Sequence, residues 1–243
     1  MSRDGGPARL EARIARKVVR TASGQRMDVL ADLSFSLEAG ETGALIGPSG
    51  CGKSTLMRIV AGLDRRFEGE VRRPAQGRIG MAFQEPRLLA WRNVWDNVRL
   101  VAPEAGDNEI EALFAQLGLA EHRAHYPGEL SLGLARRAAL ARAFAVRPAL
   151  LLLDEPFVSL DAPLARQLRG DFCRLVESRE MITLLVTHDV DEAIALADCI
   201  FVLSPRPAHV LGVVRVDKPR GRMDALEERA IVVRIEALRG TAN

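Results

Sequence analysis

Nine consecutive residues, Gly47-Pro48-Ser49-Gly50-Cys51-Gly52-Lys53-Ser54-Thr55, constrain this 243-residue chain more than any other stretch. A short apolar segment, Gly43 to Ile46, precedes them, and an amphipathic pattern carrying Leu56, Ile59 and Val60 follows. Strand, glycine-rich loop and helix in that order are the setting of a phosphate-binding loop with GxxxxGK[ST] spacing. The glycines let backbone N–H groups converge on phosphate oxygens without side-chain clash, and the dipole of the following helix adds to the attraction. In such a loop Lys53 pairs with the β- and γ-phosphates, and the Ser54 hydroxyl ligates Mg2+.

Far downstream, Ala149 to Leu153 is an aliphatic run that ends in Asp154 and Glu155. Two carboxylates at the carboxyl end of a buried strand lie where ligands bind in parallel sheets. Asp154 is expected to hold Mg2+, directly or through water, and Glu155 to polarise an attacking water as general base.

The remaining pattern predicts an α/β fold with a mostly parallel sheet. Residues 1–12 are expected to be a tail, followed by an antiparallel β region in which Leu30, Leu33, Phe35 and Leu37 alternate with other residues. Residues 86–135 are expected to form an inserted helical lobe, with Val94, Trp95, Val98, Ile110, Leu113, Phe114 and Leu117 at helical spacing. Residues 13–85 and 136–218 form the expected core, where helices near Gly133–Val146, Pro163–Glu177 and Val190–Ala197 alternate with strands at Ala149–Leu153, Ile182–Val186 and Ile200–Leu203. The whole is expected to be one domain.

Composition excludes several classes. Hydrophobic residues make up 48% and charged residues 27%, an ordinary globular balance. No apolar run approaches the roughly 18 residues of a membrane span, and the N-terminus lacks an apolar signal region, which predicts a cytosolic protein. Cys51, Cys173 and Cys199 show neither disulfide nor zinc spacing and are expected to be small hydrophobes. A net charge of +2 is too close to neutral to argue for a nucleic-acid or membrane surface. Lysine is scarce, with Lys17, Lys53 and Lys218 against 31 arginines, so a buried lysine calls for a specific explanation.

With these motifs in place, the chain resembles the ATP-binding subunits of ABC transporters over almost its whole length. The resemblance implies a P-loop NTPase core and assigns further roles. Gln84, in MAFQEP, matches the family's Q-loop glutamine, a contact to Mg2+ and the attacking water. Ser159-Leu160-Asp161 matches the D-loop, and His188, in VTHD, matches the switch histidine at the γ-phosphate. Leu130-Ser131-Leu132-Gly133-Leu134 stands where the family has LSGGQ. That position implies that Ser131 and Gly133 contact the nucleotide held by a second copy in an ATP sandwich. Leu132 and Leu134 depart from the motif. The family's aromatic residue that stacks on adenine falls near Val18 or Val19 here, which implies an aliphatic contact; Phe35 is expected in the core and Tyr126 in the lobe.

Within the family, FQEPRLLAWRNVWDNV and VLSPRPAHV resemble importers of nitrate, sulfonate, taurine and similar small solutes, and the tail over 219–243 resembles that subgroup's C-terminal helical extension. Trp91 and Trp95, spaced i, i+4, are either lobe core or part of a socket for a permease helix. The resemblance implies an ATPase, with ATP and Mg2+ bound, at the cytoplasmic face of the membrane. Its partners would be a second ABC subunit, a permease and, indirectly, a solute-binding protein, with no nucleic acid. The contrasting classes are a nucleotide-gated regulatory module with weak hydrolysis and a soluble ABC ATPase acting on nucleic acid. Retention of Lys53, Asp154, Glu155 and His188 argues against the first. A single phosphate loop without sustained heptads argues against the second.

Overall fold

The computed structural model describes residues 9–158, 162–177, 179–217 and 223–241. Its first half runs β1 (Arg9–Arg20), β2 (Arg26–Glu38), β3 (Thr42–Ile46), α1 (Lys53–Val60), β4 (Glu68–Arg72), β5 (Arg78–Ala82), α2 (Val94–Arg99) and α3 (Asp107–Gln116). Then follow α4 (Leu132–Ala145), β6 (Pro148–Asp154), α5 (Ala162–Glu177), β7 (Ile182–Thr187), α6 (Val190–Leu196), β8 (Cys199–Leu203), β9 (Val210–Arg215) and α7 (Ala225–Gly240). Residues 1–75 with 182–243 pack as one compact unit, and residues 76–181 as another.

In the first unit, β1 lies between β2 and β4 in an antiparallel sheet. Leu10, Ala12 and Ile14 point inward at period two while Arg9 and Arg13 face solvent. That alternation starts the strand at Arg9, so the last four residues of the expected tail are strand instead. The central strands β7, β3 and β8 run parallel and are buried at every position. Such strands have both faces covered, which is why their sequences are continuous apolar runs. Phe35 is core as expected, 5.2 Å from Phe201 between ring centroids. The β9 strand joins β8 antiparallel and was not legible, because Gly212 and half-exposed positions blur its pattern. The expected C-terminal helix forms as α7, opened by Asp224, whose carboxylate accepts from Leu226 and Glu227 N–H.

The second unit sets β5 parallel to β6. Helix α4 lies against β5 so closely that a Cβ on Gly80 would come 2.3 Å from the Ala143 carbonyl oxygen. Helices α2 and α3 and two short 3-10 turns, Ala120–His122 and Pro127–Glu129, occupy the stretch expected to be helical. Trp95 stands edge-on to Phe114 at 5.5 Å. Trp91 precedes the helix and is 73% exposed, so the two tryptophans do not share a helical face. The helix begins later than the spacing suggested because Asn93 caps it, accepting from Asp96 N–H at 2.7 Å.

Cys51 and Cys199 are buried and Cys173 is half-buried, none in a disulfide. Burial pushes the Cys199 thiol up to about 12, so it stays protonated at neutral pH. No helix among the described residues is long and apolar enough to cross a membrane.

Candidate nucleotide site

The phosphate loop leaves the end of β3 and returns as α1. Gly50 and Gly52 have φ of 74° and 127°, in the left-handed region that disfavours side chains. At Gly52 space is also closed: a Cβ would sit 2.7 Å from Val29 Cγ1 and 2.9 Å from Leu30 Cδ2. Lys53 is 6% exposed and turns back across the loop, its Nζ donating to the Gly47 carbonyl at 2.8 Å and the Pro48 carbonyl at 3.0 Å. Gly52 caps α1 without a side-chain acceptor, and the first turn holds no acid. A helix N-terminus with no acid in its first turn, beside a buried ammonium, is the chemistry of an anion site.

The register pairs Ile46 with Thr187, so Gly47 and His188 leave the sheet from neighbouring strand ends. His188 is exposed, and its flanks are fixed. Thr187 Oγ1 donates to Glu192 at 2.5 Å and accepts from Asp189 N–H, while Asp189 caps α6. Val18 and Val19 are half-buried on β1, and neither offers an aromatic face. They line a cavity of about 850 Å³ that also exposes Arg20, Arg26, Arg58, Arg65 and Arg66.

In the second unit, Ala82 on β5 pairs with Leu153 on β6. Gln84 and Glu155 each lie two residues beyond that pair, and Gln84 Nε2 donates to Glu155 Oε2 at 3.4 Å. Asp154 is buried at the strand end, and Glu155 takes a φ of 48° as the chain turns out of the sheet. Two expected residues from distant motifs thus meet. Ser131 caps α4, its Oγ accepting from Leu134 N–H at 3.3 Å. Leu132 is exposed beside it, and a Cβ on Gly133 would meet Leu164 Cδ2 at 2.4 Å. Tyr126 is exposed on a 3-10 turn. The expected D-loop, with Asp161, lies outside the described residues.

Two residues that sequence reasoning missed hold this unit's segments in place. Arg142 on α4 donates from Nη1 to the Arg87 carbonyl at 2.7 Å and from Nη2 to the Pro86 carbonyl at 2.9 Å. The stretch just after Gln84 is thereby tied to the helix that Ser131 opens. Burial lowers the Arg142 guanidinium pKa from its usual value. Asn97 is buried on α2; it accepts from Leu89 N–H and donates to the carbonyls of Leu89, Arg92 and Asn93. Its only sequence signal was a polar residue on an apolar face.

A family profile described as ABC transporter matches residues 30–158. The aliphatic sulfonates import ATP-binding protein SsuB 2 of Burkholderia cenocepacia is 42% identical over 228 residues, covering 90% of this chain and 83% of that protein. SsuB 1 of Pseudomonas aeruginosa is 43% identical over 227 residues, covering 88% and 89%. Among solved structures, a dimeric bacterial ABC transporter cassette superposes with a TM-score of 0.74 at 25% identity, covering 85% of this chain and 98% of that one. A second dimeric cassette, in a post-hydrolysis state bound to ADP and Pi, shares the fold with a TM-score of 0.73 at 24% identity. A profile spanning more than half the chain, and relatives matched along most of their length, make this chain a member of the ABC transporter family.

Proposed function

We propose that the chain hydrolyses ATP to drive an importer of a small anionic solute of the sulfonate type, nitrate and taurine being the related candidates. The observation that carries hydrolysis, rather than binding alone, is the hydrogen bond between Gln84 and Glu155. A carboxylate held by an amide at a strand end is suited to take a proton from an oriented water.

Lys53 exchanges its loop carbonyls for the β- and γ-phosphates, and the loop N–H groups hold the same oxygens. Ser54, Asp154 and Gln84 carry the hard oxygen donors that Mg2+ prefers and would hold it, and the bound cation would supply charge to offset that of the phosphate oxygens. Glu155 accepts a proton from water as its oxygen attacks the γ-phosphorus in line, and ADP leaves as the bond to the β-oxygen breaks. His188 steadies the γ-oxygens, while Gln84 orients Glu155 and the water. Ser131 and Gly133 of a second copy, with Asp161, close the nucleotide into a sandwich. Positioning and electrostatics supply most of the acceleration. A permease receives the motion, with exposed Trp91 as one contact, and a solute-binding protein delivers the solute. That assembly sets the chain at the cytoplasmic face of the membrane.

The test is Glu155→Gln in the reconstituted transporter. ATP affinity is expected to stay within about twofold, with turnover down by roughly 100-fold or more. Turnover at the native rate removes Glu155 from the role of base.

A further inference from the structure

The turn from Ser204 to His209, which joins β8 to β9, reaches the phosphate loop from a direction the motifs do not cover. Its backbone is pinned at both ends. Ser204 N–H donates to the His209 carbonyl at 3.0 Å, and His209 N–H donates to Ser204 Oγ at 3.1 Å. Ala208 N–H donates to the Val29 carbonyl at 2.8 Å, and Ala31 N–H donates to the Ala208 carbonyl at 3.1 Å, locking the turn onto β2. β2 is also the strand that closes around Gly52, so turn and loop share one support.

From this base Arg206 extends over the loop. Its Nη2 lies 3.3 Å, and its Cζ 4.0 Å, from where a Cβ on Gly50 would stand. Nη1 donates to the Met27 thioether at 3.2 Å. Arginines elsewhere in this unit hold carboxylates, as Arg16 holds Asp28 and Arg215 holds Glu41. Among the described residues, Arg206 makes no ion pair. Thioether sulfur is a weak acceptor, which leaves the remaining guanidinium N–H groups for something stronger. A planar guanidinium fork beside the glycine-rich loop, held by a pinned turn and in no ion pair among the described residues, suits bidentate contact with phosphate oxygens.

We infer that Arg206 is a second cation of the nucleotide site, in addition to the buried Lys53, and contacts the phosphate chain of ATP. The inference rests on the reading of Gly47 to Thr55 as the nucleotide loop. Lys53 acts as a compact charge from within the loop, and Arg206 adds a forked contact from a turn formed more than 150 residues later in the chain. Part of the phosphate affinity then depends on the β8–β9 turn staying docked on β2.

The experiment measures binding of ATP and of inorganic tripolyphosphate to the full chain by calorimetry, for the native protein, Arg206→Gln, Arg206→Lys and Lys53→Ala. Arg206→Gln is expected to weaken both ligands roughly tenfold, with a shallower dependence on salt, and Arg206→Lys to recover part of the loss. Its ligand-free melting temperature is expected to stay within about 2 °C of native, since the side chain is exposed and the turn is held by backbone. Native affinity of Arg206→Gln for both ligands overturns the inference. So does a loss of ATP binding with tripolyphosphate unaffected, which would make Arg206 a contact to the base or ribose. Lys53→Ala separates the two readings. If it binds ATP as well as native, or if native protein binds neither ligand, the nucleotide loop itself is misassigned and the role of Arg206 falls with it.

Discussion

Lys17 answers the question raised by the lysine count. It is 3% exposed, its Nζ 2.7 Å from Asp64 Oδ2 and 2.7 Å from the Arg66 carbonyl oxygen it donates to. Nothing in the sequence distinguished it from a surface lysine, because its partners lie beyond α1 and meet it only once β1 is packed. Burial alone pushes the Asp64 carboxyl up, but the hydrogen bonds from Lys17 and Arg66 N–H, with the charges of Lys17 and Arg58, pull it below its ordinary value. The ionised form is therefore favoured by folding. The stability it contributes is fully present above the unfolded value near pH 4 and is lost as pH falls through the lowered folded value. Asp64→Asn is expected to cost about 3 kcal/mol at pH 7 by stranding a buried ammonium. It should also flatten the dependence of stability on pH below about 4, as measured by urea unfolding at a series of pH values. By contrast, Lys53 and Glu155 stand out in the sequence as candidates, because a GxxxxGK[ST] loop and a strand-end acid carry their chemistry in adjacent positions. The meeting of Gln84 with Glu155 was foreshadowed only by the family likeness, since β5 itself left little pattern.

At the level of elements, the parallel strands β3, β6, β7 and β8 and the helices beside them formed close to where their apolar periods placed them. The edge strands did not announce themselves: β4 reads Glu-Gly-Glu-Val-Arg, and β9 carries a glycine, so their identity comes from pairing with a neighbour. Links between elements were equally hidden. Arg142 joins α4 to the carbonyls of Pro86 and Arg87, a bond that residue type alone does not suggest. Arg142→Lys, which cannot fork across two carbonyls, is expected to lower kcat by about tenfold with KM for ATP within twofold, in steady-state assays of the reconstituted transporter. An equal fall in the melting temperature and in ATP affinity would instead mark a purely structural role. Asn97 does for the 89–93 turn what Arg142 does for the stretch after Gln84. Asn97→Ala is expected to destabilise the chain by about 2 kcal/mol or more, through backbone groups left unpaired. Trp91→Ala, with its ring already in solvent, is expected to leave the melting temperature within about 1 °C while reducing stimulation of turnover by permease.

Cassettes solved as dimers match 85% of this chain, and the segment proposed as its signature departs from LSGGQ at Leu132 and Leu134 while carrying Ser131 and Gly133. Serine and glycine supply the cap and the close approach at the start of α4, which the two leucines do not displace. Glu155→Gln with ATP is accordingly expected to run as a dimer in size-exclusion chromatography coupled to light scattering, and as a monomer without nucleotide. A monomer in both conditions counts against the sandwich and makes Leu132 and Leu134 the residues to revert. Addition of plasmid DNA is expected to leave ATPase activity unchanged, in line with a net charge of +2. By itself the sequence determined the family and the positions of the buried strands β3, β6, β7 and β8 with the helices beside them, because each is written in short-range spacing that local geometry converts directly into structure. Only the tertiary structure decided that Lys17 is buried, that Arg142 and Asn97 hold the working turns, and that Arg206 stands over Gly50. Those placements depend on contacts between residues far apart in the chain, and no local spacing records which distant backbone a long side chain will meet.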